Sequence, residues 1–349
     1  MTRVAFIRMF CAAGIAVATS MLCSCEHKDL RFNHPEHATR YETRIEASYD
    51  LIWEMREPGG VDWSADWPSE FGISYESLAP KMPDGLCVNS YNRNGQKSSR
   101  HLPPKGGIVE MSPGMNSLLM YNDDTEFIIF DDLNNSVSAK ATTRSRSRAS
   151  YTGNTLDPAS KGEPEKTVSP PDPLFGHYIE AYEQLAIPIP ETLNATLRPL
   201  VFSYLIRYEF THGTEYIGLA RGAMSGMAES VFLFDGHTGD DRVTILYDCT
   251  VHDWGVETVV NSFGIPNYPN HEYSRTEDFY GLNLELRLRN GKMLVFDHDV
   301  TDQVAAQPHG GVIVIKGLCV SDEDGNEAGS GFDVDVEGWG DFEDITIDL

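Results

Sequence analysis

The sequence predicts an all-β protein built from antiparallel β-sandwiches. Apolar residues recur at every second position in one segment after another. Turn-forming Gly, Pro and Asn clusters separate those segments at short intervals. Helical periodicity is scarce. The chain has 349 residues and 41% hydrophobic content, enough for two domains of ordinary size with real cores.

Taken in order, the first element is the stretch 44–53. Ile45, Ala47, Tyr49, Leu51 and Trp53 alternate there with polar residues, the period of a half-buried strand. Further strands are expected at 86–91, 107–111, 117–121 and 126–130, set apart by Pro58-Gly59-Gly60, Pro83-Asp84-Gly85 and Asn94-Gly95. The segment 180–185 is one short helical candidate. Between 138 and 173 the composition turns to Ser, Thr, Arg, Gly, Lys and Pro, ending in Ser169-Pro170-Pro171-Asp172-Pro173. Such a stretch buries little apolar surface and reads as a long loop or linker at 141–173. Its Arg144, Arg146 and Arg148 are either solvated or a target for an arginine-specific protease. In the second half, strands are expected at 200–208, 216–220, 230–234, 243–247, 282–288, 293–296 and 312–315. Phe332-Asp333-Val334-Asp335-Val336 alternates cleanly. So does Ile345-Thr346-Ile347-Asp348-Leu349, which predicts a paired strand at the C-terminal end.

The start of the chain carries the clearest functional signal. Arg3 and Arg8 precede an apolar run from Met9 to Ala18, followed by Leu22-Cys23-Ser24-Cys25. A basic start, a short apolar core and small residues before a cut make an export signal. The order Leu, any residue, small residue, Cys is what a lipoprotein signal peptidase reads. This predicts a signal at 1–24 and lipidation of Cys25. The apolar run is shorter than the roughly 18 residues that span a bilayer. The polar stretch 25–40 reads as a tether, and the spacing of His27, His34 and His37 within it suits no fixed metal geometry.

The net charge is -26, so phosphate backbones repel this surface and nucleic acid is excluded as a partner. Of six cysteines, Cys11 and Cys23 belong to the signal and Cys25 to the anchor, leaving Cys87, Cys249 and Cys319 in the body. They form no CxxC or zinc spacing. They are expected as buried free thiols, with a Cys249–Cys319 bridge as the alternative.

Three constellations might carry chemistry. Asp322-Glu323-Asp324-Gly325-Asn326-Glu327 has the start of a calcium loop, but Asp333 stands at its twelfth place and Glu327 replaces the turn glycine. A solvated acidic hairpin is the better reading. Asp297-His298-Asp299 sets a histidine between carboxylates, but in a strand His298 faces away from both. Trp63 and Trp67 beside Asp62 and Asp66 would either stack on sugars or cover a core. There is no HExxH, GxSxG or phosphate-binding loop. No catalytic residue, cofactor or metal site is predicted.

Several stretches together resemble a known family. They are Ser24-Cys25-Glu26-His27-Lys28-Asp29-Leu30, Ser169-Pro170-Pro171-Asp172 and Gly222-Ala223-Met224-Ser225-Gly226-Met227. Further on come Phe296-Asp297-His298-Asp299-Val300-Thr301-Asp302-Gln303-Val304 and Gly331-Phe332-Asp333-Val334-Asp335-Val336-Glu337-Gly338-Trp339. They resemble the Bacteroidetes fimbrillin-like lipoproteins, and more closely a fimbrial anchor-like group of predicted lipoproteins of unassigned function. The resemblance implies two tandem transthyretin-like β-sandwich domains, at 41–140 and 174–349. It implies a surface-exposed outer-membrane lipoprotein held by acylated Cys25, with no enzyme activity and no cofactor. Fimbrial subunits are the implied partners, joined by strand addition at an open sheet edge. Pilins of this group are cut after an arginine near the mature start, and Arg40 and Arg44 qualify by position. An anchor keeps its lipid and stays uncut. A glycan-binding lipoprotein for polysaccharide capture is the alternative function.

Overall fold

A computed structural model describes residues 40–148, 151, 165–269, 279–326 and 345–347. The signal at 1–24, Cys25, the tether histidines, the 332–336 alternation and Trp339 lie outside the described residues. What is described is all-β, as the alternation predicts.

The first sheet has seven strands. In chain order they are β1 (Tyr41–Tyr49), β2 (Leu86–Asn92), β3 (Lys97–Leu102), β4 (Gly106–Met111) and β5 (Gly114–Tyr121). A three-stranded sheet follows from β6 (Ile128–Asp131) and β7 (Lys140–Thr143), with β8 (Ser145–Ser147) and β9 (Lys166–Val168) beyond it. Then β10 (Phe175–Gln184) and β11 (Glu191–Pro199) return to complete the first sheet, in the order β3-β2-β5-β10-β11-β1-β4. Strands β2 and β5 are buried on both faces. Leu86, Val88, Leu118 and Met120 pack with Ile45, Val109 and Phe175 on one side. Cys87, Tyr91, Leu119 and Tyr121 pack with Ile128, Ala141 and Leu174 on the other. Two-sided burial explains the continuous apolar run Leu118-Leu119-Met120-Tyr121 in β5.

The second sheet is built from β12 (Phe202–His212), β13 (Ile217–Ala228), β15 (Arg242–His252), β16 (Gly255–Ser262), β17 (Gly281–Leu288), β18 (Met293–Asp299) and β19 (Gly311–Cys319). Its order is β18-β17-β13-β15-β16-β12-β19, and β8, β9 and β20 (Ile345–Ile347) join at its side. The short β14 (Val231–Phe232) pairs with β7 in the small sheet. Tyr204, Ile206 and Tyr208 of β12 face the main core with Leu282, Leu284 and Leu286 of β17. Leu205 and Val312 face the opposite side, where Trp53 and Phe71 cover them. In β13 a register shift between Met224 and Met227 holds Gly226 at φ 85°. A Cβ there would lie 2.4 Å from the Phe279 carbonyl oxygen, so this bulge requires glycine.

Several expectations are corrected. The first strand stops at Tyr49, where the Asp50 N–H makes the last ladder bond, to the Leu197 carbonyl. The 180–185 helix is part of β10, which pairs with β5 on both sides of a register shift at Ile179/Tyr182. Pairing is not purely antiparallel: β1–β11, β12–β19 and β9–β15 run parallel. The 141–173 linker contains β8, β9 and the end of β7, and the first sheet takes β10 and β11 from beyond the boundary expected at 174. The acidic segment after Ser321 is a short helix, α2 (Asp322–Asn326), not a hairpin; α1 (Thr301–Ala305) precedes β19. The paired strand at the C-terminal end is present: Ile345–Ile347 runs antiparallel to β8.

Candidate functional site

Strand addition needs an edge with free backbone groups, so the ends of the second sheet come first. At the β19 end, two glutamines close the edge. The Gln303 side chain receives the Val314 N–H at 3.1 Å and donates to the Val314 carbonyl at 3.5 Å. Gln307 receives the Val312 N–H at 3.1 Å and donates to the Val312 carbonyl at 2.7 Å. Alternate residues of a strand point their amide groups to the same side, so these contacts cover the side turned away from β12. At the other end, β18 pairs only with β17 among the described residues. Its residues alternate between exposed and half-buried, and Val295 is 56% exposed.

The first sheet gathers three features at one end. The parallel register sets Thr43 opposite Glu191, so the start of β1 lies beside the β10–β11 turn. Gly114 opposite Gln184 and Tyr41 opposite Met111 bring the β4–β5 turn there as well. The β10–β11 turn is Leu185-Ala186-Ile187-Pro188-Ile189-Pro190, with Ile189 74% exposed. Consecutive exposed apolar residues on so acidic a chain mark a contact surface.

The residues singled out in the sequence fall as follows. Trp63 and Trp67 join Trp53, Phe71 and Tyr75 in an edge-to-face aromatic cluster over β12 and β19. Their indole N–H groups donate to Gln307 Oε1 at 3.0 Å and to the Ile73 carbonyl at 2.7 Å. The covering reading holds for both. In β18, Asp297 accepts from Asn283 at 2.8 Å and Asp299 caps the Thr301 N–H at 2.9 Å, while His298 faces the other way and burial lowers its pKa. No acid–base pair forms. Asp322 is bonded to His212 and Tyr216, which hold its carboxyl below the usual range, and Asp324 to Ser321 and Lys292. Glu327 and Asp333 of the calcium reading lie outside the described residues.

The arginine cluster is not a solvated linker. Arg146 donates to the Leu246 carbonyl and to Asp248, both at 3.2 Å, and buried Arg148 donates to the Tyr247 carbonyl at 3.3 Å. Arg44 lies inside the sheet, with Thr192 on one side and Ile108 on the other. Arg40 reaches Ser98 just ahead of β1. All three body cysteines are free thiols; Cys87 is buried and Cys249 half-buried, but Cys319 is exposed, contrary to expectation.

One grouping escaped the sequence reading. Cys87 and His101 are direct cross-strand partners in the β2–β3 hairpin. On the other side of Cys87 stands Tyr121, with Asp123 two residues on. One ligand atom from each of Cys87, His101 and Asp123 lies within 4.8 Å of the others. His101 Nδ1 contacts the Asp123 carboxylate. Spacings of 14 and 22 match no motif, and a two-residue turn at Asn94-Gly95 would have paired Cys87 with Leu102, one residue off the observed register.

The family profile described as a domain of unknown function, DUF5119, matches residues 49–248. The chain belongs to the DUF5119 family. A curated relative, the candidate fimbrium anchoring subunit Fim4B of Bacteroides ovatus, is 26% identical over 206 residues. That alignment covers 54% of this DUF5119 chain and 55% of Fim4B, so it spans about half of the relative's length. The crystal structure of a candidate adhesin from Bacteroides ovatus matches with a TM-score of 0.54 at 17% identity, over 85% of this chain and 99% of that one. At that identity the likeness shows a shared fold. The fimbrial anchor protein Mfa2 of Porphyromonas gingivalis matches more loosely, with a TM-score of 0.43 at 9% identity over 79% of this chain and 90% of Mfa2, and carries no argument.

Proposed function

We propose that this DUF5119 protein is a lipid-anchored, non-enzymatic surface protein of the outer membrane that serves as an anchor or minor subunit of a fimbria. The observation that carries the reading is the relationship to Fim4B, a protein named for fimbrium anchoring. The Leu22-Cys23-Ser24-Cys25 pattern supplies the attachment. Several acyl chains, at about 0.8 kcal/mol per buried methylene, hold such a protein to the bilayer without a spanning segment. The entry of the chain at Tyr41, beside the exposed Ile187 and Ile189, supports an orientation with that end toward the lipid. Arg44 within β1 supports an uncut chain.

The partner is a fimbrial subunit that adds a strand at β18, the end of the second sheet with no further strand beyond it among the described residues. Cross-linking in intact cells followed by capture of the acylated protein tests this. Recovery of fimbrial subunits linked near β18 is the expected result, and recovery of the lipoprotein alone contradicts it. The glycan alternative loses its best support, because the rings and N–H groups of Trp63 and Trp67 are already engaged.

A further inference from the structure

We propose that Cys87, His101 and Asp123 form a binding site for one divalent transition-metal ion, with Zn2+ the best chemical match. The donor set is one thiolate sulfur, one imidazole nitrogen and one carboxylate oxygen, from facing positions of β2 and β3 and from Asp123, two residues past the end of β5. Calcium and magnesium prefer all-oxygen shells, whereas sulfur and imidazole favour zinc and its neighbours. In a tetrahedral zinc site the ligand bonds are about 2.0–2.3 Å, which sets the donor atoms about 3.3–3.6 Å from one another. The three donors here already lie within 4.8 Å, so side-chain rotations close the shell.

The surroundings are suited to an ion. The Cys87 side chain is buried, hydrogen-bonded with the Tyr121 side chain and 3.8 Å from Asn89 Oδ1. The imidazole of His101 is 72% exposed and the Asp123 carboxylate 27%, so a fourth position opens to water or to a partner's ligand. Gly85 faces the Asp123 carboxylate, where a Cβ would lie 3.1 Å from Oδ1. Burial raises the thiol pKa, so the ion must displace a proton to bind, as zinc does at cysteine sites generally. A bound ion would clip the exposed strand β3 to β2 and to the end of β5.

The test is a titration of the reduced, chelator-treated mature protein with Co2+, followed by competition with Zn2+. The expected result is a saturable thiolate-to-cobalt charge-transfer band that Zn2+ abolishes. Cys87→Ser removes the band. His101→Ala keeps every body thiol, and its exposed ring is not needed for folding, so circular dichroism stays unchanged while affinity falls roughly 100-fold. The proposal is overturned by no band at all, by a band that survives Cys87→Ser, or by equal affinity in His101→Ala.

Discussion

Arg221 and Glu285 face each other across β13 and β17, with side chains 1% and 3% exposed and a 2.8 Å contact. Replacing Glu285 takes away the carboxylate that buried Arg221 contacts at 2.8 Å. Glu285→Ala is therefore expected to lose about 3–5 kcal/mol of stability in urea unfolding, and a loss below about 1 kcal/mol would contradict the assignment. Arg207 shows a different solution: its guanidinium bonds Glu257 at 2.6 Å and lies over the rings of Phe71 and Trp254. His309 is 5% exposed, packed against Phe202 and Tyr268, with Glu57 3.5 Å away. Burial pushes its pKa down to about 4, against the opposing pull of Glu57. The unfolded imidazole protonates near about 6.5, so its contribution is whole above that pH and is lost as the pH falls toward 4, by up to about 3 kcal/mol. Urea midpoints at about pH 7 and about pH 4.5 should differ more in the natural protein than in His309→Gln, and equal differences would contradict this. None of these residues was legible as buried. A charge at an alternating position normally marks the solvent face, and only pairing across strands shows otherwise.

At the scale of elements, alternation located most strands because one face of each is buried. It failed where another signal competed. Strand β10 is apolar at spacings a short helix also satisfies, and only its ladder with β5 decides. The Ser- and Arg-rich stretch hid β8 and β9 because their apolar content is low and their partners are remote in sequence. The caps on β19 give an element-level prediction. Replacing Gln303 and Gln307 together by Ala strips four backbone bonds, each worth about 0.5–1.5 kcal/mol, and bares an edge. Lower stability and concentration-dependent self-association by analytical ultracentrifugation are expected, and an unchanged monomer of unchanged stability would refute the capping role. The β10–β11 turn gives another. Ile189→Asp should alter stability by less than about 0.5 kcal/mol, since the side chain is 74% exposed. Ile189→Trp in the acylated protein on vesicles should be quenched by brominated lipid; fluorescence insensitive to that lipid would place the turn away from the bilayer.

For the molecule as a whole, the sequence revealed the fold class and the attachment pattern but not the way the chain interleaves. Strands β10 and β11 enter the first sheet after an excursion through the small sheet, and β7 pairs with β14 from far along the chain. Such long-range pairings leave no periodic trace in one sequence. The Cys87, His101 and Asp123 grouping was hidden because it depends on the exact register of the β2–β3 hairpin and on the β2–β5 pairing. The chain belongs to the DUF5119 family, and its likeness to Fim4B over about half of that protein's length supports the proposed fimbrial role, with acylated Cys25 as the proposed attachment. Mass spectrometry of the protein isolated from its own envelope tests that claim most directly. The account predicts a mature N-terminus at Cys25 carrying a diacylglyceryl thioether and an amide-linked acyl chain. An unmodified Cys25, or a mature chain that starts after Arg40 or Arg44, would contradict it.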